Sequence, residues 1–276
     1  MSFWSDRRLL EGGGDAEDLL NKVARITTWS TECQFVWRGH PDQEWPLHSA
    51  LFGRVQHAGG VPPNEDELRA VEQNLIASAR ARRMGGDAAI PDLQRLAVLQ
   101  HHGTATRLLD VTTDPMIALW FACEDQRNWD RPGVLFAVEV SNARHLDWTH
   151  EDPISTTVDS LESDQLAVYW PEPLDARIQV QRGAFVFGKV PDDAGTRTAT
   201  SMPIRLPDWT ATQRRAVFGV RGRGRPTIPS ILAVRIPKHT KQRLLALLER
   251  SYGYTGETIY PDIDGFSRAN GRMSPL

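Results

Sequence analysis

The segment DPMIALWFAC, residues 114–123, constrains this chain more than any other stretch. Aspartate caps a helix and proline fits its first position, so a helix starts here. The residues that follow are apolar on every side, and such a helix is buried all round. Ending three residues before it is QHHGTATRLLD, residues 100–110, with two histidines, an arginine and an aspartate. Polar groups set against a core segment are either hydrogen-bonded scaffolding or the lining of a pocket. The pocket is the reading preferred here.

Periodicity organises the remainder. EGGG at 11–14 reads as a hinge behind a flexible arm, and Asp15 then caps a helix carrying Leu19, Leu20, Val23 and Ile26 on one face. CQFVWRG, 33–39, has the pattern of a buried strand stopped at glycine. Asn64 and Glu67 form a capping box ahead of Leu68, Val71, Leu75 and Ala79, and Arg80, Arg82 and Arg83 sit near that helix's end, where its dipole favours cations. Asp92 opens another helix through Leu93, Leu96 and Leu99, stopped near Gly103. TRLLDV is strand-like, as are GVLFAVEV (133–140), RIQVQRGAFVFG (177–188) and SILAVRIP (230–237). KQRLLALLER, 241–250, is the final helix expected. The polar stretches 141–175 and 189–209 read as long loops. Helices and strands that mix without strict alternation give an α+β fold, a mixed sheet flanked by helices. The division expected is a flexible arm over 1–14, one domain over 15–270 and a tail over 271–276.

Composition narrows the class. At 276 residues, 40% hydrophobic and 24% charged, the chain is an ordinary globular one. A net charge of -3 argues against a generally basic nucleic-acid binder, though not against a local basic patch. Cys33 and Cys123 lie in apolar stretches without metal-ligand spacing, as expected of reduced thiols. No segment reaches the roughly 18 uninterrupted apolar residues of a membrane span, and the N-terminus has no apolar signal core. A soluble, cytoplasmic protein is expected.

Several groups are candidates for chemistry. Arg38, at the end of its strand, offers a planar fork for phosphate or carboxylate, with Gly39 allowing close backbone approach and His40 adjacent. An ion pair with Glu44 is the structural alternative. Gln100, His101, Arg107 and Asp110 suit an anion-binding and proton-transfer cluster, or a buried network joining helix to sheet. As a strand, RIQVQRGAF places Gln179, Gln181 and Gly183 on one face and Ile178, Val180 and Arg182 on the other. Asp262 and Asp264 of YPDIDG read as a capped turn more than as metal ligands, and no metal is predicted anywhere. Arg214, Arg215, Arg221, Arg223 and Arg225 form the one basic tract, suited to gripping phosphates or to lying in solvent.

These pieces together resemble the FRG-domain family, named for an aromatic-Arg-Gly motif that here is the WRG of FVWRGHP. LAVLQHHGTATRLLDVTTDPMIALWFA is similar to the family's QHYGxPTRLLDWTxxPxxALYFA block, and RIQVQRGAF and TIYPDIDGFS continue the likeness over residues 16–270. A more distant resemblance runs to the arginine-type ADP-ribosyltransferases: an arginine strand, then a strand leading into a helix of the pattern xxAxxF, then a third strand. It implies a split sheet and NAD as substrate. By that resemblance Arg38, Gly39, His40, Gln100, Arg107 and Thr112 bind the nucleotide, with Thr112 and His101 near the ribose or nicotinamide. His101, Asp110 and Gln181 then act in catalysis. The transferases carry a glutamate where this chain has Gln181, which cannot serve as a base, so Asp110, Glu257 or Asp262 would have to supply the carboxylate. The resemblance implies a toxin or anti-phage effector with a protein or nucleic-acid acceptor and an antitoxin or activating partner. Two other classes compete: a nucleic-acid binder or nuclease using the 214–225 loop, and a non-catalytic interaction module.

Overall fold

The computed structural model describes residues 4, 7–28, 33–86, 89–172, 176–218, 229–263 and 265–266, without the side chains of 215 and 216. The first half contains β1 (Leu9–Glu11), α1 (Ala16–Thr28), β2 (Phe35–His40), α2 (Ala50–Gly59), α3 (Glu65–Ala81), α4 (Asp92–His101), β3 (Leu109–Thr112) and α5 (Pro115–Glu124). Then come β4 (Gly133–Glu139), β5 (Arg144–Asp147), α6 (Ile154–Asp159), β6 (Leu166–Trp170), α7 (Ala176–Val180) and β7 (Gly183–Gly188). Last are α8 (Ala194–Arg197), α9 (Ala211–Val217), β8 (Ile231–Ile236), α10 (Lys241–Tyr252) and α11 (Gly256–Ile259).

The strands form one mixed sheet in the order β1-β8-β4-β2-β3-β7-β6-β5, parallel at its two edges and antiparallel between them. It is a mixed sheet flanked by helices, as expected from the sequence. Alternation along each strand buries both faces. Val36, Val134, Phe136, Val168 and Val186 point to one continuous cluster. On the opposite face the cover comes in two blocks. Trp37, Leu135 and Ala137 meet α1, α5 and α10 in one, and Tyr169, Phe185 and Phe187 meet α4 and α6 in the other.

At the centre of the sheet, β2 and β3 are joined through a single pair, Trp37 with Thr112. Beyond that pair β2 continues against β4 alone, through Arg38, Gly39 and His40. β3 continues against β7. The sheet therefore opens between its two halves on the side where the covering blocks also part.

The apolar helix is α5, with Asp114 capping it by accepting from the Met116 backbone at 2.8 Å. Ile117 to Trp120, Ala122 and Cys123 are all buried. Burial also pushes the Cys123 thiol up to about 12, so it stays protonated. Gly39 is what lets β2 lie on this helix: a Cβ there would stand 1.8 Å from the Ala118 carbonyl oxygen. Just past β2, the buried Lys241 ammonium donates to Pro41 O and to Asn128 O at 2.7 Å, tying the strand's end to α10.

Several expectations change. Residues 9–11, assigned to the flexible arm, are β1, held because Leu9 and Leu10 are apolar and fully buried against the sheet. The stretch 141–175 is no plain loop, since β5, α6 and β6 lie in it, and α8 lies in 189–209. LAVYW is a short buried strand whose signal is diluted by the polar residues around it. Residues 177–188 are not one strand: Ala176–Val180 is helical, and the turn at Gln181–Arg182, with Arg182 at φ 47°, precedes β7. In α3 the buried stripe is Leu68, Glu72, Ile76 and Ala79, with Leu75 half-buried at its edge and Val71 exposed, because Glu72 is drawn inward by Arg107. The capping box at Asn64 and Glu67 forms as the spacing predicts. α10 is followed by the short α11, so it is not the last helix.

Gly39→Ala is expected to cost about 3 kcal/mol or to abolish folding, since a backbone carbonyl cannot step aside as a side chain can. Gly53→Ala, in α2 with open space at its Cβ position, is the control and should gain about 0.5–1 kcal/mol. Equal denaturation midpoints for Gly39→Ala and wild type would rule out the close packing of β2 on α5.

Candidate functional site

Where β2 and β3 part, a cleft of about 400 Å³ opens. Its apolar walls are Trp37, Trp45, Phe121, Ile178 and Phe185, and its polar groups include Arg38, His101, Asp110, Glu124 and Arg177. The volume lies within the range of small-molecule sites, about 300–1,000 Å³.

Arg38 is held on two sides. Its Nε donates to His40 Nε2 at 2.9 Å and its Nη1 to the Asp110 backbone oxygen at 2.6 Å. The guanidinium thus takes the place of the strand pairing that stops at Trp37. The Asp110 carboxylate stands 3.8 Å from Nη1 and is itself exposed. No protein hydrogen bond falls on Nη2 among the described residues. Burial lowers the Arg38 pKa from its ordinary value and the Asp110 charge pulls it back. The expected alternative partner, Glu44, is not the one found: its carboxylate accepts from Gln43 at 3.4 Å.

His40 is buried and packs edge-on against Phe136. Because its Nε2 accepts from Arg38, the ring is the neutral Nδ1–H tautomer. Its pKa lies well below the ordinary histidine value, first through burial and then through the Arg38 charge. Gly39 lines the cleft, yet its small size serves the α5 contact rather than approach to a ligand, a correction to the sequence reading.

His101, at the end of α4, faces the cleft, with its Nε2 4.0 Å from the Asp262 carboxylate. Arg177 Nη1 lies 3.9 Å from the same oxygen and its guanidinium stacks over Tyr260. Asp262 also forms the capped turn expected of it, accepting from the Gly265 backbone at 2.6 Å. Asp264 lies outside the described residues. Gln100 lines the cleft, but its oxygen accepts from the Thr106 hydroxyl.

Thr112 and Gln181 line the cleft with their polar ends largely committed. The Thr112 hydroxyl donates to Gln181 O at 2.7 Å and accepts from Asp114 N at 3.0 Å. Gln181 Nε2 donates to Ile259 O at 3.0 Å. Arg107 is not in the cleft at all. It is buried beside α3, where its Nε donates to both Glu72 oxygens at 2.9 Å and its Nη2 to Glu65 at 3.1 Å. Its neighbours fix its role: two carboxylates offset the cost of burying the charge. Glu257 is exposed on α11 and does not line the cleft. Of the basic tract, Arg214 sits on α9 away from the cleft lining, while the Arg215 side chain and Arg221, Arg223 and Arg225 lie outside the described residues.

Sequence reasoning missed Glu124, Asp125, Arg177 and the aromatic walls. Glu124 and Asp125 had a usable signal, as the first carboxylates after the apolar helix. Arg177 had none once its segment was read as a strand.

Residues 33–131 match the model of the FRG domain, and the chain carries an FRG domain there. No curated protein and no solved structure matches the chain. The matched span supplies β2, α4, β3 and α5, hence Arg38, His101, Asp110 and Glu124. Arg177, Ile178, Gln181 and Phe185 complete the cleft from beyond it. No helix among the described residues is long and apolar enough to cross a membrane.

Buried histidines make the fold acid-sensitive. His48, whose Nε2 donates to Arg197 O at 2.8 Å, is lowered by burial to about 4, and His40 is lowered too. Both folded-state values lie below the unfolded one near 6.5, so the unfolded chain takes up protons first as pH falls. Stability from these groups is complete above about pH 6.5 and is lost between there and about pH 4. The urea midpoint should fall across that window, and His48→Gln should flatten the slope. A midpoint constant from pH 7 to 4 would contradict the buried neutral state.

Proposed function

We propose that the cleft binds a phosphate-bearing nucleotide, with NAD as the leading substrate, and that the protein is an ADP-ribosyltransferase-like enzyme. The observation that carries this reading is Arg38. Its guanidinium is fixed by His40 and Asp110 in a cleft of ligand size, with Nη2 left for a phosphate oxygen. A rigid fork loses little entropy on binding. The single-pair junction between β2 and β3 supports the split-sheet comparison that suggested NAD.

Glycosyl transfer from NAD breaks the C1′–N bond, and the electron pair leaves with nicotinamide. The cationic ribosyl centre then bonds to the acceptor's nucleophilic atom, which gives up its proton. Asp110, exposed in the cleft, stands in for the missing glutamate by stabilising the positive centre. His101 takes the acceptor's proton. Gln181 serves only in orientation. Consuming NAD or modifying a cellular target would suit a toxin or anti-phage effector, with the acceptor a protein or nucleic acid.

Calorimetric titration with NAD and a nicotinamide-release assay test the reading. Wild type should bind and release; Arg38→Lys keeps the charge but loses the fork and should weaken binding about tenfold or more. Asp110→Asn should lower turnover with little change in NAD affinity. Failure of wild type to bind NAD or to release nicotinamide rejects this function.

A further inference from the structure

The aromatic rings of the cleft are not equivalent. Trp37 and Phe185 are buried in the packing of the sheet and Phe121 is half-buried on α5, so these rings are largely committed to the core. Trp45 lines the same cleft with 45% of its surface exposed. A lone apolar residue in solvent is ordinary on an open surface. This one stands on a cleft wall, and its backbone is braced.

Trp45 lies between β2 and α2. Its N–H donates to Asp42 O at 3.2 Å, and its carbonyl accepts from Trp4 Nε1 at 3.3 Å. The buried Asp42 carboxylate accepts from Glu44 N at 2.9 Å and from Arg131 Nη1 at 2.6 Å. Gln43 N donates to Pro132 O at 2.8 Å, which ties the turn to the segment leading into β4. The indole is thus displayed in a fixed place, and a guest that lies on it has little left to order.

Two contacts relate this ring to Arg38. The Trp45 and His40 ring centroids are 6.2 Å apart, and His40 Nε2 accepts from Arg38 Nε at 2.9 Å. One imidazole therefore links the indole to the guanidinium. In a nucleotide one sugar links the base to its phosphate, so a phosphate at Arg38 brings a base within reach of Trp45. The other held edge of the guanidinium, Nη1, turns to Asp110. From the phosphate anchor, one direction leads to an exposed aromatic face and another to an exposed carboxylate.

We propose that Trp45 is a stacking platform for the nucleobase of the cleft's ligand. A dinucleotide then lies with its adenine on Trp45, its phosphates at Arg38 and its reacting ribose at Asp110. This orientation rests on the NAD reading, whereas a base on Trp45 requires only that the cleft takes a nucleotide. Stacking reads the face of a ring and every base has one, so the platform separates nucleotides from simple sugar phosphates.

Calorimetry with ADP-ribose, NAD and ribose 5-phosphate tests this. Trp45→Leu keeps apolar bulk but removes the aromatic face, so affinity for ADP-ribose and for NAD should each fall about tenfold or more. Ribose 5-phosphate, which has no base, should bind both proteins equally. Trp45→Phe keeps a stacking face and should recover most of the loss. Both variants should melt close to wild type, since the indole is nearly half exposed and the bonds that brace the turn are made by its backbone. Equal ADP-ribose affinity in wild type and Trp45→Leu, an equal loss for ribose 5-phosphate, or no recovery in Trp45→Phe overturns the platform. A loss for NAD that spares ADP-ribose overturns the orientation, because ADP-ribose keeps the adenine and lacks the nicotinamide. If ADP-ribose affinity falls in Trp45→Leu while wild type releases no nicotinamide, the platform stands and the transferase reading falls. If nicotinamide is released and Trp45→Leu binds ADP-ribose like wild type, the platform alone fails. Wild type that binds neither ADP-ribose nor NAD overturns both.

Discussion

The contact between Gly39 and the Ala118 carbonyl governs where everything else in the site can stand. A strand and a helix cannot approach that closely with any side chain between them. Because they do, β2 is pressed onto α5 over the residues flanking Gly39. Arg38 and His40 are therefore fixed in depth as well as direction. The buried Lys241 of α10, which packs beside α5, anchors the strand's end through the Pro41 carbonyl. Both contacts set the position of Arg38 and His40 at the cleft.

The second constraint is the interrupted pairing at the centre of the sheet. Strand edges carry unsatisfied backbone groups that need partners. Here the partner for Asp110 O is a side chain, the Arg38 guanidinium. A charged donor makes a stronger bond than an amide and leaves room that a paired strand would fill. The same device gives the cleft its cation and its opening. Arg107, three residues before Asp110, shows the opposite use of the same side chain: enclosed by Glu65 and Glu72, it joins α3 to the strand and has no access to the cleft. The polar load before the apolar helix is thus divided, with Arg107 as scaffold and Arg38, His101 and Asp110 on the cleft.

Much of this was legible where a local rule acts alone. The Asn64–Glu67 cap, the Asp114–Pro115 start and the all-round burial of α5 each follow from a few neighbouring residues. Legibility failed where tertiary partners decide. The stripe on α3 rotates because Glu72 answers a charge 35 residues away. RIQVQ alternates as a strand would, but its five-residue helix is held in place by contacts to α11 and β7 that no window of sequence contains. Arg177 was lost with that misreading. Which of the two arginines served the cleft was undecidable from spacing, since both sit beside carboxylates once the chain folds.

The cleft also has a division along the chain that bears on what the FRG domain does by itself. Residues 33–131 hold the guanidinium, the imidazole and the exposed carboxylate, the groups able to bind an anion and move a proton. The facing wall, Arg177 to Phe185, comes from outside that span and is itself propped by Tyr260 and Asp262 near the end of the described chain. That wall faces these groups across the cleft, while the Asp110 side chain stays exposed. Arg38, His101 and Asp110 of the cleft thus come from the FRG span. The shape of the cleft depends as much on the residues that line it from beyond that span.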